Sequence, residues 1–400
     1  MIIKNVKIFT ADHTFESGVI EIKDGHFSSV KFEKEKNLNL ETEADAVILD
    51  GQGCYAIPGL IDLHFHGCMG YDFCNGTKEA IEQIAAYEAS AGVTAIAPAT
   101  MTLPVKELEA VLTTAAEYKK EELACQDYQS KGRQRADLVG INMEGPFISP
   151  VKKGAQDPAN MIPCDADLAE RFLEASDGLV KFMGLAPEEA DSETVMAYIE
   201  RMRERVNLSL AHTNADYDSA RAAIEAGVHH VVHLYNAMPA FTHRAPGVIG
   251  AAAENQDVTV ELICDGIHIH PAVVRSTFQM FGKERIILIS DSMEATGMSD
   301  GRYSIGGMEV AVQGKRAALV SDGTLAGSVT NLMDCMRNAV KEMGIPLETA
   351  VGCAAVNPAK KLGIYDQYGS IETGKKANVV LLDANLNVQK VVKDGQLITE

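Results

Sequence analysis

The stretch Pro58-Gly59-Leu60-Ile61-Asp62-Leu63-His64-Phe65-His66-Gly67 decides how the rest of the chain is read. A short apolar run ends on two histidines spaced i, i+2, and a strand presents both imidazoles on one side at that spacing. The same arrangement recurs downstream. Val139-Gly140-Ile141-Asn142-Met143 leads into Glu144, and Asn207-Leu208-Ser209-Leu210-Ala211 leads into His212. Val231-Val232 leads into His233, and Ile286-Ile287-Leu288-Ile289-Ser290 leads into Asp291. Five apolar runs therefore end on residue types that ligate metals. In a parallel barrel every strand C-terminus opens on one face, so such residues converge there.

Counting outward from this stretch gives eight short apolar runs: Gly59–His66, Val93–Ala97, Leu138–Glu144, Leu179–Leu185, Asn207–His212, Val228–Leu234, Val258–Cys264 and Ile286–Asp291. Amphipathic segments over Lys78–Ala91, Val105–Leu123, Asp165–Ser176, Ser192–Arg205, Asp216–Ala226 and Pro271–Phe281 separate most of them and predict helices. The alternation predicts an α/β chain with a (β/α)8 TIM-type barrel. A doubly wound sheet has the same alternation, because periodicity does not by itself close a barrel. Both ends are strand-rich, with Asp-Gly turns at Lys23-Asp24-Gly25-His26 and Lys393-Asp394-Gly395-Gln396. Residues 1–53 plus 369–400 are expected to form one small β-sandwich domain, and residues 54–368 the catalytic barrel. Two long segments stand out, Glu144–Cys164 with its four prolines and the Gly-rich Asp300–Asp322, which reads as a hairpin lid.

The formal net charge is -20, with 56 Asp and Glu against 36 Lys and Arg. That balance argues against nucleic acid and anionic membranes as partners, and it means that an anionic substrate needs a local cluster of donors. The eight cysteines include no C-x-x-C pair, as in reduced cytosolic proteins. The start Met1-Ile2-Ile3-Lys4-Asn5 is strand-like rather than a secretory leader, and no apolar run is long enough to span a bilayer. A cytoplasmic enzyme is expected.

Imidazole and carboxylate together suit zinc, and also iron, manganese or cobalt. Taken singly, each residue has an ordinary alternative: His212 or His233 as a hydrogen-bonded core histidine, Glu144 or Asp291 as a cap. Five strand ends pointing the same way make the joint ligand set the better reading. By position, His229 and His230 begin their strand rather than end it, and His13 and His26 belong to the β region. Cys68 reads as an inert buried thiol.

Several further stretches carry a resemblance. They are Gly369-Ser370-Ile371-Glu372-Thr373-Gly374-Lys375-Lys376-Ala377-Asn378-Val379-Val380, Met143-Glu144-Gly145-Pro146-Phe147, Ala211-His212-Thr213-Asn214-Ala215 and His233-Leu234-Tyr235-Asn236-Ala237-Met238. Asp265-Gly266-Ile267-His268, Ser290-Asp291-Ser292-Met293 and Leu325-Ala326-Gly327-Ser328 complete the set. With the opening strand they resemble the amidohydrolase superfamily, and nearly the whole chain is similar to its N-acetylglucosamine-6-phosphate deacetylases. The resemblance implies hydrolysis of the acetamide of an amino-sugar phosphate by a homodimer that depends on a divalent metal, zinc first. Glu144, His212 and His233 would hold the metal. Because His64 and His66 are both kept, one or two ions per subunit are expected, sharing Glu144. Asp291 is the implied general base, and His268 a donor to the carbonyl oxygen or a sugar hydroxyl.

The implied substrate contacts are Ala155, Asn236, Ala237, His243, Arg244, His268, Leu325, Ala326 and Gly327. Arg244, with His243 and the Asn236–Ala237 backbone, is the candidate for the phosphate, from its own or a neighbouring subunit. The chain departs from the family pattern at Gln156, where a histidine is usual. Dihydroorotase-like relatives bridge two metals with a carboxylated lysine at the end of strand four. Strand four here ends Gly184-Leu185-Ala186-Pro187, with Lys181 at its beginning. Two alternatives stay open: another amidohydrolase, such as an N-acyl-amino-acid deacylase, and a non-catalytic barrel.

Overall fold

The computed structural model describes residues 1–34, 47–124 and 134–398. Strands Leu60–Asp62, Val93–Ile96 with Ala99–Thr100, Asp137–Leu138 with Ile141–Met143, Val180–Leu185, Asn207–Leu210, His230–Val231, Thr259–Ile263 and Ile286–Ile289 pair in parallel, in chain order. Between the last strand and the first, the ring closes through single hydrogen bonds. Asp291 N–H donates to the His64 carbonyl at 3.0 Å, and His66 N–H to the Ser292 carbonyl at 2.7 Å. The Ser290 hydroxyl donates to the Asp62 carboxylate at 2.5 Å. This is the barrel that the alternation predicts, rather than the doubly wound sheet.

The six expected helices are present over Lys78–Ser90, Val105–Ala124, Ala166–Ala175, Ser192–Met202, Tyr217–Ala226 and Pro271–Phe281. Thr77, Asp165, Asp191 and Asp216 cap four of them by accepting first-turn N–H groups. A further helix, Gly247–Glu254, is short and rich in Gly and Ala, so it has little polar face for periodicity to detect. Strand side chains alternate as a barrel demands. Ile61, Ala95, Phe182, Ile287 and Ile289 form one cluster, plugged by Ala359 and Leu362. Leu60, Ile96, Leu208, Leu262 and Leu288 face the helix layer.

Both termini enter one sheet of eight strands. Its order is Gln396–Leu397, Val388–Lys393, Val379–Leu382, Tyr55–Pro58, Ile2–Phe9, Phe15–Lys23 and His26–Phe32, with Ile48–Asp50 also pairing to Ile2–Phe9. Tyr55–Pro58 lies within it, so the sheet runs past the boundary expected at residue 53. Ile3, Ile8, Ile20, Phe27, Val379 and Val392 give this unit its own core, while Phe9, Ile57, Val380 and Leu382 on alternate positions join the barrel core. The unit is also tied to the barrel by charge. Fully buried Lys393 donates to Asp137 on strand three at 2.9 Å. Lys376 and Tyr368 donate to the other Asp137 oxygen at 3.0 and 2.7 Å.

The segment after strand eight is a three-stranded antiparallel sheet, Gly301–Ile305, Met308–Gln313 and Arg316–Leu319. Its apolar face packs on Met101 and Met293 beside the barrel mouth. Cys125 lies outside the described residues, and the other seven cysteines are free thiols. No helix among the described residues is long and apolar enough to cross a membrane.

Candidate active site and metal centre

Glu144 leaves the end of strand three fully buried, and its carboxylate is the centre of the site. The Nε2 atoms of His212 and His233 each lie 2.8 Å from the same Glu144 oxygen, Oε1, and 3.1 Å from one another. His64 Nε2 is 3.5 Å from Oε1, and His66 Nε2 is 3.6 Å from Oε2. Asp291 Oδ1 stands 3.3 Å from His66 Nε2 and 4.0 Å from His64 Nε2. Two ligand groups result, His64–His66–Glu144 and Glu144–His212–His233, each with its donor atoms within 4.8 Å of one another.

The backbone is bent to make this possible. His212, His233 and Asp291 take left-handed φ values of 42°, 27° and 50°. Such conformations are costly for non-glycine residues, by about 1–3 kcal/mol each, and concentrate at functional sites. Gly154 lies against the His212 ring. Its φ is also left-handed, at 54°, and a Cβ there would stand 3.0 Å from His212 Cε1, so any other residue would be strained and would press on the ring.

Partners behind the ligands fix the imidazoles. His212 Nδ1 donates to the Lys152 carbonyl at 2.8 Å, which leaves Nε2 as a lone-pair donor to the site. His64 Nδ1 lies 2.6 Å from Glu261 Oε2. Glu261 also accepts from His233 N–H at 3.0 Å and sits 3.0 Å from His230 Nε2. His64 Nε2 is buried without a hydrogen-bond partner. A buried, orphaned imidazole nitrogen whose other nitrogen is held by a carboxylate is the arrangement of a metal ligand. The residues present thus fit a divalent cation.

Burial works to raise the Glu144 carboxyl, but the charge and hydrogen bond of His212, with the hydrogen bond of His233, hold it well below the usual range. Asp291 is likewise kept below its ordinary value: burial opposes this, and the His66 hydrogen bond with the charges of His64, His66 and His233 prevails. Burial lowers His268, but Asp265, 2.7 Å from its Nδ1, raises it above the ordinary imidazole value.

A cavity of about 260 Å³ opens over these groups. It is lined by His66, Glu144, His212, His233, Asp291 and His268, by Ala155, Asn236 and Ala237, and by Leu325 and Gly327 beneath the lid. The structure brings these sequence-predicted residues together around one cavity. His64 sits behind the wall against Glu144, and Ala326 is buried in the lid core rather than in the lining. His243 and Arg244 do not come to the cavity of their own chain. They lie on an exposed loop spanning residues 240–245 and are absent from its lining.

Four residues were not singled out from the sequence. Glu261 was visible as a lone acid inside the apolar run Val258–Cys264, and Asp265 lies three residues before His268. Asn142 donates to the Leu63 carbonyl at 3.0 Å, and nothing in its neighbours marks it. Gln156, noted only as a departure, is 2% exposed. Its Oε1 accepts from Thr102 N–H at 2.7 Å, and its Nε2 donates to Glu144 Oε2.

The amidohydrolase family model matches residues 55–398. An N-acetylglucosamine-6-phosphate deacetylase of Bacillus subtilis is 34% identical over 99% of this chain and 96% of its own length. An N-acetylgalactosamine-6-phosphate deacetylase of Escherichia coli O157:H7 is 35% identical over 89% of each. In structure the chain is similar to the N-acetyl-D-glucosamine-6-phosphate deacetylase of Mycobacterium smegmatis solved in complex with N-acetyl-D-glucosamine-6-phosphate. That match has a TM-score of 0.87 and 31% identity, covering 100% of this chain and 99% of the other. The chain therefore belongs to the amidohydrolase family, in its branch of N-acetylglucosamine-6-phosphate deacetylases.

Proposed function

We propose that this chain hydrolyses the acetamide of N-acetyl-D-glucosamine 6-phosphate to D-glucosamine 6-phosphate and acetate, as a step of amino-sugar breakdown in the cytoplasm. One observation carries the reading. The Glu144 carboxylate is shared by two groups of imidazoles with Asp291 beside it, in a cavity also lined by Asn236, Ala237 and His268. In the division proposed for the chain, residues 54–368 as the barrel and residues 1–53 with 369–400 as its supporting β unit, strand Tyr55–Pro58 goes with the β unit and the barrel does the chemistry.

Glu144, His212 and His233 would hold a divalent ion, zinc first, and His64 with His66 a second that shares Glu144. When bound, such an ion supplies Lewis-acid activation of the attacking water and of the acyl carbonyl. Asp291 accepts a proton from that water as its oxygen adds to the acetyl carbon. It returns the proton to the nitrogen as the C–N bond breaks, because an amine leaves well only when protonated. His268, oriented through Nδ1 by Asp265, directs Nε2 at the carbonyl oxygen or a sugar hydroxyl. The Asn236–Ala237 backbone receives the phosphate end. Arg244 and His243 reach it from a second copy of the chain, so the working enzyme is a homodimer.

The test is acetate release from N-acetylglucosamine 6-phosphate before chelation, after chelation and after zinc is restored. Loss followed by recovery supports the reading, and full activity in the chelated protein refutes it.

A further inference from the structure

We infer that Gln156 is a positioning residue that orients the Glu144 carboxylate to serve two ions at once. The inference rests on the two-ion reading above and concerns the second ion.

The two oxygens of Glu144 have different neighbours. Oε1 takes His212 and His233 Nε2, each at 2.8 Å, with His64 Nε2 further off at 3.5 Å. Oε2 faces His66 Nε2 at 3.6 Å and accepts from Gln156 Nε2. The orientation of the Gln156 amide is not arbitrary. Thr102 N–H can only donate, and an ionised carboxylate can only accept. The amide must therefore turn Oε1 to Thr102, at 2.7 Å, and Nε2 to Glu144. Thr102 follows strand two, and Gln156 lies within the strand-three loop, so the side chain is anchored at both ends in a site where it is 2% exposed. A carboxylate oxygen has two lone-pair directions. With one taken by Gln156, the other is left for the side of His66, whose Nε2 lies 3.6 Å away. Without the clamp, Glu144 is free to rotate about its last bond and offer both oxygens to the His212–His233 site.

The experiment is zinc titration of the metal-free protein against a chromogenic chelator, with elemental analysis of the dialysed protein. Gln156→Met keeps length and bulk but has no donor. Gln156→Asn stays polar but is one methylene too short to span Thr102 and Glu144, and serves if Met disturbs folding. Gln156→His keeps an N–H donor. The wild type is expected to take two zinc ions. In the Met or Asn variant the tighter ion should remain, and the second should bind ten- to hundredfold more weakly, the usual effect of removing a group that orients a metal ligand. The His variant should recover most of that loss, which a general packing defect would not allow. A folded Met or Asn variant that holds both ions as the wild type does overturns the inference. A wild type that takes one ion overturns the two-ion reading beneath it, a result distinguishable from the first.

Discussion

The Nδ1 of His64 lies 2.6 Å from Glu261 Oε2, with both side chains fully buried and 197 residues apart in the chain. Glu261 therefore holds the ring of one candidate ligand and, through His233 N–H, the strand end of another. Removing its charge while keeping its shape, as in Glu261→Gln, should weaken zinc binding about ten- to hundredfold with the fold intact. Zinc titration with circular dichroism as a folding control measures this. Unchanged affinity would show that Glu261 only fills the barrel.

The two ligand groups should separate on mutation. His212→Ala or His233→Ala is expected to abolish tight metal binding and activity together. The double variant His64→Ala, His66→Ala should lose at most one ion. Elemental analysis that finds one ion in the wild type and the same in the double variant would sink the second site.

Much of this was legible in the sequence because the site is built where strands end. His64, His66, Glu144, His212, His233 and Asp291 each follow an apolar run, and the barrel brings such positions to one mouth. The alternation could not reveal closure, which depends on the Asp291 to His64 and Ser290 to Asp62 hydrogen bonds between residues more than two hundred positions apart. Glu261 and Gln156 escaped for a related reason. Their meaning lies in what they touch across the barrel, not in their sequence neighbours. Arg244 shows the converse: its residue type suits a phosphate, but its own fold holds it in solvent away from the cavity.

Asp291→Asn should keep the fold and metal but lower kcat on the order of 10²–10⁴-fold, the range for a positioned acid–base group. Steady-state kinetics at matched metal content decide it. Turnover near the wild-type rate would reduce Asp291 to a ligand or a cap.

Stability has its own test at the junction of the two units. Burial works to raise Asp137, but Lys393 and Lys376 hold it far below the usual carboxylate range. Removing one partner of a buried ion pair costs about 3–5 kcal/mol, so Lys393→Met should lower the denaturant midpoint markedly at pH 7. A carboxyl depressed in the folded state stabilises above its unfolded pKa, roughly 3.9, and loses that contribution as pH falls below it. The deficit of the variant should therefore narrow in acid. A deficit independent of pH would assign it to packing.

Arg244→Ala should lower kcat/KM on the phosphorylated sugar about ten- to hundredfold, since a charge-assisted contact contributes roughly 1.5–3 kcal/mol. Activity on the unphosphorylated sugar should barely change. Mixing Arg244→Ala with an inactive Asp291→Asn chain should restore some sites if the arginine acts across a dimer. Equal losses on both sugars would give Arg244 a structural role.

The central claim is tested most directly by acetate release at known zinc content from N-acetylglucosamine 6-phosphate, from N-acetylglucosamine and from an N-acetyl amino acid. The expected result is efficient turnover of the phosphorylated sugar, with kcat/KM falling at least about tenfold when the phosphate is removed, and little release from the amino acid. Equal rates on both sugars, or preference for the amino acid, would contradict it.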